Sequence, residues 1–351
     1  MLRTRWFCLL GIFVMACSDT VQPSPDLPEP TLDPTLVAEG KEIFRFDTFG
    51  DDAFWTDTLR IHDVITAAVT PALALSLGVQ VDIDAIPASV QAAIAAGQVD
   101  LQSPATTVAL LKMGAVVGLM GHVETIDGRD TLTSSGVTCA FCHSTVDNSF
   151  APGIGHRQDG FANTKLNPGA IIATSPALND AQRAVYSSWG PGLYDPRFSI
   201  DGKNTPIVIP PAYGLARVSH ETFTGDGPVS YWNAYVAVTQ MHGRGNFTDA
   251  RLGIVRTASP DLVTSKLPAL RAYQLSIKAP APPAGSFDVA ASTRGRELFN
   301  GKARCSSCHV GIALTDINLG RRHAAEETGM DPAYAMRTAE KRYRTTPLRG
   351  L

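Results

Sequence analysis

Cys139-Ala140-Phe141-Cys142-His143 opens a stretch that continues Ser144-Thr145-Val146-Asp147-Asn148-Ser149-Phe150-Ala151-Pro152 and closes on Gly153-Ile154-Gly155-His156. Its first five residues put two thiols and an imidazole on one tight turn. Thiols at this spacing reach both vinyl groups of a haem, and the imidazole that follows is placed to take the iron as proximal ligand. The arrangement returns at Cys305-Ser306-Ser307-Cys308-His309, so four of the six cysteines belong to two copies of one pattern. A chain of this composition would produce it by chance on the order of 0.002 times. The pattern therefore reads as two covalently attached c-type haems, one on Cys139, Cys142 and His143, the other on Cys305, Cys308 and His309.

Two other chemistries use paired cysteines. Four thiolates can close a zinc site, but zinc does not call for a His after each pair, and the pairs lie far apart in the chain. A thioredoxin-like redox pair sits on a strand-to-helix turn of a βαβ unit, and no such alternation surrounds either motif.

The N-terminus agrees with haem attachment outside the cytoplasm. Met1-Leu2-Arg3-Thr4-Arg5 is a basic head, and Trp6 to Ala16 is an apolar run too short to span a bilayer. Residues 1–16 read as an export signal, which removes Cys8 with it. Val14-Met15-Ala16-Cys17 resembles a bacterial lipobox, making Cys17 the lipidated first residue of the mature chain and its membrane anchor; plain cleavage near Ala16 would leave Cys17 as an odd thiol. Residues 17–35 carry five prolines and several acids, an extended tether. The expected location is the periplasm or cell surface. A net charge of −3 offers no nucleic-acid footprint.

Beyond the tether the pattern predicts a mainly α chain: two cytochrome c-like haem domains with long irregular loops and an extra N-terminal helical region. The first domain spans residues 36–285, and Ala279-Pro280-Ala281-Pro282-Pro283-Ala284-Gly285 separates it from the second, residues 286–351. Helices are expected at about 87–96 and 105–120, the latter a buried core helix, and from Trp232 towards Met241-His242. Gly295-Arg296-Glu297-Leu298-Phe299 reads as the opening helix of the second haem unit. Only 42 residues follow His309, and the last of them stop inside a loop, so the sequence reads as a C-terminally incomplete fragment.

With both haem motifs, Gly153-Ile154-Gly155-His156 and Thr345-Thr346-Pro347-Leu348-Arg349 in hand, the chain resembles the bacterial di-haem cytochrome c peroxidase superfamily. The match covers residues 137–163 and 294–351, and residues 36–130 have no counterpart in the compact peroxidases. The resemblance implies that His156, preceded by Asp147-Asn148, is the removable distal ligand of the N-terminal haem. It implies a calcium ion between the haems, held by Asn163 and the backbone of Thr345 and Pro347. Gln240 takes the place of a catalytic Gln, whereas no Glu between Glu221 and Glu297 matches the catalytic Glu. Met330 and Met336 read as packing residues rather than haem ligands; the resemblance would set Trp232 between the haems, and the plainer reading is a tryptophan that fills the core. The function implied is peroxidase-like: hydrogen peroxide or another small oxidant reduced at the N-terminal haem, with electrons from the C-terminal haem and a small cytochrome or cupredoxin as donor. A pure electron carrier and an O₂-dependent oxygenase acting on an organic substrate are the alternatives.

Overall fold

Asp33 starts the first helix, Pro34–Phe46: its carboxylate accepts from the Thr35 backbone N–H at 2.8 Å, and Pro34 occupies the first turn, where no N–H is needed. Ile43 and Phe44 face inward and the helix crosses Leu267–Ser276. At the crossing a Cβ on Gly40 would stand 1.9 Å from the Ala269 carbonyl oxygen, so glycine sets the approach. Phe44 meets Tyr273 edge-on at 5.5 Å. The computed structural model describes residues 24–350; the stretch read as an export signal and lipobox, with Cys17, lies outside them.

The expected helix over 105–120 stops early. It runs Pro104–Lys112, burying Thr107, Val108, Leu110 and Leu111, and gives way to a hairpin of Leu119–Ile126 against Arg129–Val137. Asp127 and Gly128 both take positive φ, 50° and 75°, the two-residue turn whose twist matches that of the strands it joins. Four further two-stranded sheets stand among the described residues. With 39% of residues helical and 13% in strands, the mainly α expectation is corrected to a mixed α/β fold, and cytochrome c-like domains are not shown. The apolar run over 105–120 that suggested one long helix is divided at Gly114 and Gly118, both at positive φ, into a helix and the start of a strand.

One large core runs from Ile43 and Phe44 to Tyr273, with partly buried side chains from Leu36 to Ile277 packed against it. The stretch after the Pro-rich break behaves differently. Helix Val289–Asn300 buries none of its residues, and Leu298 is 54% exposed, so the expected opening helix of a second haem unit packs against no core here. The segment beyond it folds back on the first unit. Arg337 is enclosed by Asp195 and Asp201, at 2.9 and 2.7 Å, and Val218 joins Ala313 and Ile317 in a small apolar cluster. The described part of the Pro-rich tether is also docked: the Pro25 carbonyl accepts from Asn318 at 2.8 Å, and Glu29 pairs with Arg217 at 2.7 Å. No helix among the described residues is long and apolar enough to cross a membrane.

Candidate haem-binding site

Strand Arg129–Val137 delivers the chain to Cys139, and the turn Ala140–His143 follows at once. Gly118, at φ 72°, lies so close that a Cβ there would meet the Phe141 backbone nitrogen at 2.0 Å. The Thr138 N–H donates to the Gly118 carbonyl at 2.9 Å, fixing the turn to the start of the hairpin.

Cys139, Cys142 and His143 open into a largely apolar cavity of about 1430 Å³, its mouth included. Ile207, Ile209 and Pro210 form one wall, and Trp232, Val236 and Met241 another. Histidine Nδ1 lies 3.0 Å from the Pro210 carbonyl; with the proton on Nδ1 that bond fixes the tautomer and leaves the Nε2 lone pair free for a metal. Burial pushes the His143 pKa down to about 4, against the weaker opposing pull of the Pro210 bond, so the ring is a neutral ligand at physiological pH. Burial also raises both thiols to about 12, with Asp47 and Cys142 adding to the shift at Cys139. Free thiolate chemistry is thereby suppressed, whereas a thioether carries no charge to desolvate.

These residues fit a covalent haem, and a buried polar group strengthens the fit. Arg344 lines the same cavity, with Nε and Nη1 buried and without a hydrogen-bond partner. Burial lowers its pKa to about 10 even though Glu221 pulls the other way. Glu221 lines the same cavity but its oxygens accept from Arg271 and the Val229 N–H, so Nε and Nη1 of Arg344 are left for another acceptor, which the propionates of a haem would supply.

Gln240 also lines the cavity. Its Oε1 accepts from the Tyr194 hydroxyl at 3.1 Å, and its Nε2 donates to Thr239 Oγ1 at 3.0 Å and Ser199 Oγ at 3.3 Å. Burial raises Tyr194 well above the ordinary phenol value, so it stays a protonated donor. Met241 is buried on the same wall, its carbonyl held by Trp55 Nε1 at 3.2 Å, while His242 stacks on Phe54 at 3.7 Å. The sequence pattern singles out none of Tyr194, Pro210 and Arg344. The apolar run Ile207-Val208-Ile209 ending in Pro210-Pro211 is the one local signal that could have marked the proximal wall.

His156 stands elsewhere. It is exposed, outside the cavity lining, with Nδ1 2.9 Å from Asp84 Oδ1 and its backbone N–H donating to Asp147 Oδ1 at 2.8 Å. The structure does not bring His156 to the cavity of Cys139 and Cys142: the parallel pairing of Val81–Asp82 with Ile154–Gly155 carries it to the acid at position 84. Gly155 serves contact rather than swing, since a Cβ there would lie 2.2 Å from Asp147 Oδ1.

The expected calcium ligands are spent within their own loops. Asn163 donates to the Gly78 carbonyl at 2.9 Å and accepts from the Leu166 N–H at 3.1 Å. The Thr345 carbonyl accepts from Thr315 Oγ1 at 2.6 Å, and the half-buried Pro347 shares no hydrogen bond with Asn163. These residues do not form a shared cation cradle, and no step is assigned to calcium.

At the second motif His309 Nδ1 lies 3.0 Å from the Leu314 carbonyl, repeating the orientation of His143, and Phe299 approaches the ring at 6.1 Å. None of Cys305, Cys308 and His309 lines the large cavity. Cys308, Asp316 and His323 bring their donor atoms within 4.8 Å of one another, a group that would compete for a metal before haem attachment. Met330 and Met336 are exposed. No family model, no curated protein and no solved structure matches this chain, so the resemblance given above rests on its motifs alone.

Proposed function

We propose that this chain is an exported di-haem c-type oxidoreductase with peroxidase-like activity. The observation that carries the reading is the cavity itself, where both thiols, a neutral His143 oriented by Pro210 and an unpaired Arg344 converge. Haem held there would supply iron that changes oxidation state and accepts a small oxidant such as hydrogen peroxide. His143, its Nδ1 on the Pro210 carbonyl, would hold the iron. Gln240, clamped by Tyr194, Thr239 and Ser199, presents a fixed amide, and the buried Tyr194 keeps its proton within hydrogen-bond reach of it. Ile207, Ile209, Pro210 and Val236 give the cavity a largely apolar wall. The Cys305–His309 turn would receive electrons from a small cytochrome or cupredoxin and pass them on. Export, with a lipid anchor at Cys17, completes the proposal.

Buried Met241 on the cavity wall favours a second reading, an electron carrier with a thioether as sixth ligand. Peroxide-dependent oxidation of a reduced donor cytochrome separates the two. The account expects turnover by the haem-loaded protein and a loss of about 10²-fold in Gln240→Leu with haem content unchanged. Absence of turnover in the wild type, with a low-spin spectrum that Met241→Leu converts to high spin, would make it a carrier.

A further inference from the structure

Next to the haem cavity, and sharing Trp55, Val137, Phe141 and Ile171 with it, lies a second cavity of about 810 Å³, its mouth included. It is built largely by the N-terminal region that has no counterpart in the compact peroxidases. Ile61 and Ile65 come from helix Ile61–Ala68, Ala74 and Leu75 from Pro71–Ser76, and Leu110 from Pro104–Lys112. No charged residue lines it. The polar atoms on its wall are nearly all spent. Trp55 Nε1 donates to the Met241 carbonyl, and Thr174 Oγ1 donates to the Ile171 carbonyl at 2.7 Å. Thr107 is the exception: its hydroxyl is buried and has no hydrogen-bond partner, although a helical threonine can give its proton to the carbonyl one turn back.

A single hydroxyl in an aliphatic wall does not hold water, which needs two to four polar partners. It suits a molecule that is apolar except at one hydrogen-bonding atom. We propose that this chamber binds a small aliphatic alcohol or carbonyl compound, its oxygen on Thr107 and its chain against Ile61, Ile65, Ala74 and Leu110. The partition of Trp55 and Phe141 sets that ligand beside the haem cavity. Its place beside a reactive centre rests on the haem reading above, whereas the binding itself does not.

The test is calorimetric titration of the haem-loaded protein with 1-hexanol, with xenon binding followed in parallel by NMR. One saturating 1-hexanol site is expected. Thr107→Val should weaken it roughly five- to tenfold, the worth of one hydrogen bond, and leave xenon unaffected. Thr107→Ser, which keeps the hydroxyl, should retain it, and Ala74→Leu, which fills the space, should abolish both ligands. Each variant is first checked for wild-type far-ultraviolet circular dichroism. No saturable 1-hexanol binding by the folded wild type, or equal binding by wild type, Thr107→Val and Ala74→Leu, would overturn the proposal. Intact mass separates the two readings: 1-hexanol binding to protein that carries no haem leaves the chamber standing and removes the haem, and haem without 1-hexanol binding does the reverse.

Discussion

His156 shows what a single residue can and cannot disclose. Its hydrogen bond to Asp84, and the charge of that carboxylate, raise its pKa above the ordinary imidazole value. A raised histidine pKa means that the pair's contribution is fully present below the unfolded value of about 6.5 and is lost as pH rises through the folded value. Proton NMR of the reduced protein should therefore show His156 titrating above the ordinary range, and Asp84→Asn should bring it back. A ring that does not titrate would place His156 on iron and contradict the assignment. Cys139, Cys142 and His143 stood out in the sequence because the chemistry proposed for them, covalent haem attachment, would put both thiols and the imidazole in one short word. The partner of His156 was not, because Asp84 lies 72 positions away and is brought in by a strand pairing that leaves no local mark. Pro210 and Arg344 escaped for the same reason: each acts 67 or more positions from the motif it serves.

At the scale of elements, the local signals that decided the hairpin were present but outweighed by an apolar run. Asp127-Gly128 is a strong two-residue turn pair, and Gly114, at φ 67°, ends the helix that was expected to continue. Helix Ala88–Ala95 fell where the sequence placed it, because Pro87 sets its start. The hairpin matters to the site because its second strand leads into Cys139 and is tied to the Phe46–Phe54 turn by Asp51. That carboxyl is fully buried, with both oxygens 3.3 Å from the Val137 N–H. Burial, with Asp52 and Asp47 adding repulsion, pushes its pKa up to about 9 against the Val137 bond. For a carboxyl raised in the folded state, stability is lost as pH climbs from the unfolded value near 4 towards the folded one. Asp51→Asn should thus melt higher than wild type at pH 8, with the difference shrinking towards pH 4. A difference that is constant with pH, or grows on acidification, would show that Asp51 is ionised in the fold.

Across the whole molecule, the Pro-rich break at 279–285 marks a change in packing rather than a clean division. Residues beyond it return to the first unit through Arg337, whose guanidinium is 3% exposed between Asp195 and Asp201, and Arg344 reaches the cavity of the first motif. Removing one member of a buried ion network leaves charge without a partner, so Arg337→Ala should cost about 3–5 kcal/mol in denaturant unfolding. A loss below about 1 kcal/mol would mean that the C-terminal segment is not anchored there. The sequence suggested two separate haem domains because it repeats one motif, but a repeated motif says nothing about which core each copy joins. Of the two copies, only the first lines the large apolar cavity. The central claim is that both copies nonetheless carry covalent haem, and intact mass of the denatured protein, produced with the full maturation machinery, tests it most directly. Two additions of haem mass are predicted for the wild type and one for Cys139→Ala with Cys142→Ala; a wild-type mass with no addition, together with stoichiometric zinc and no iron, would contradict it.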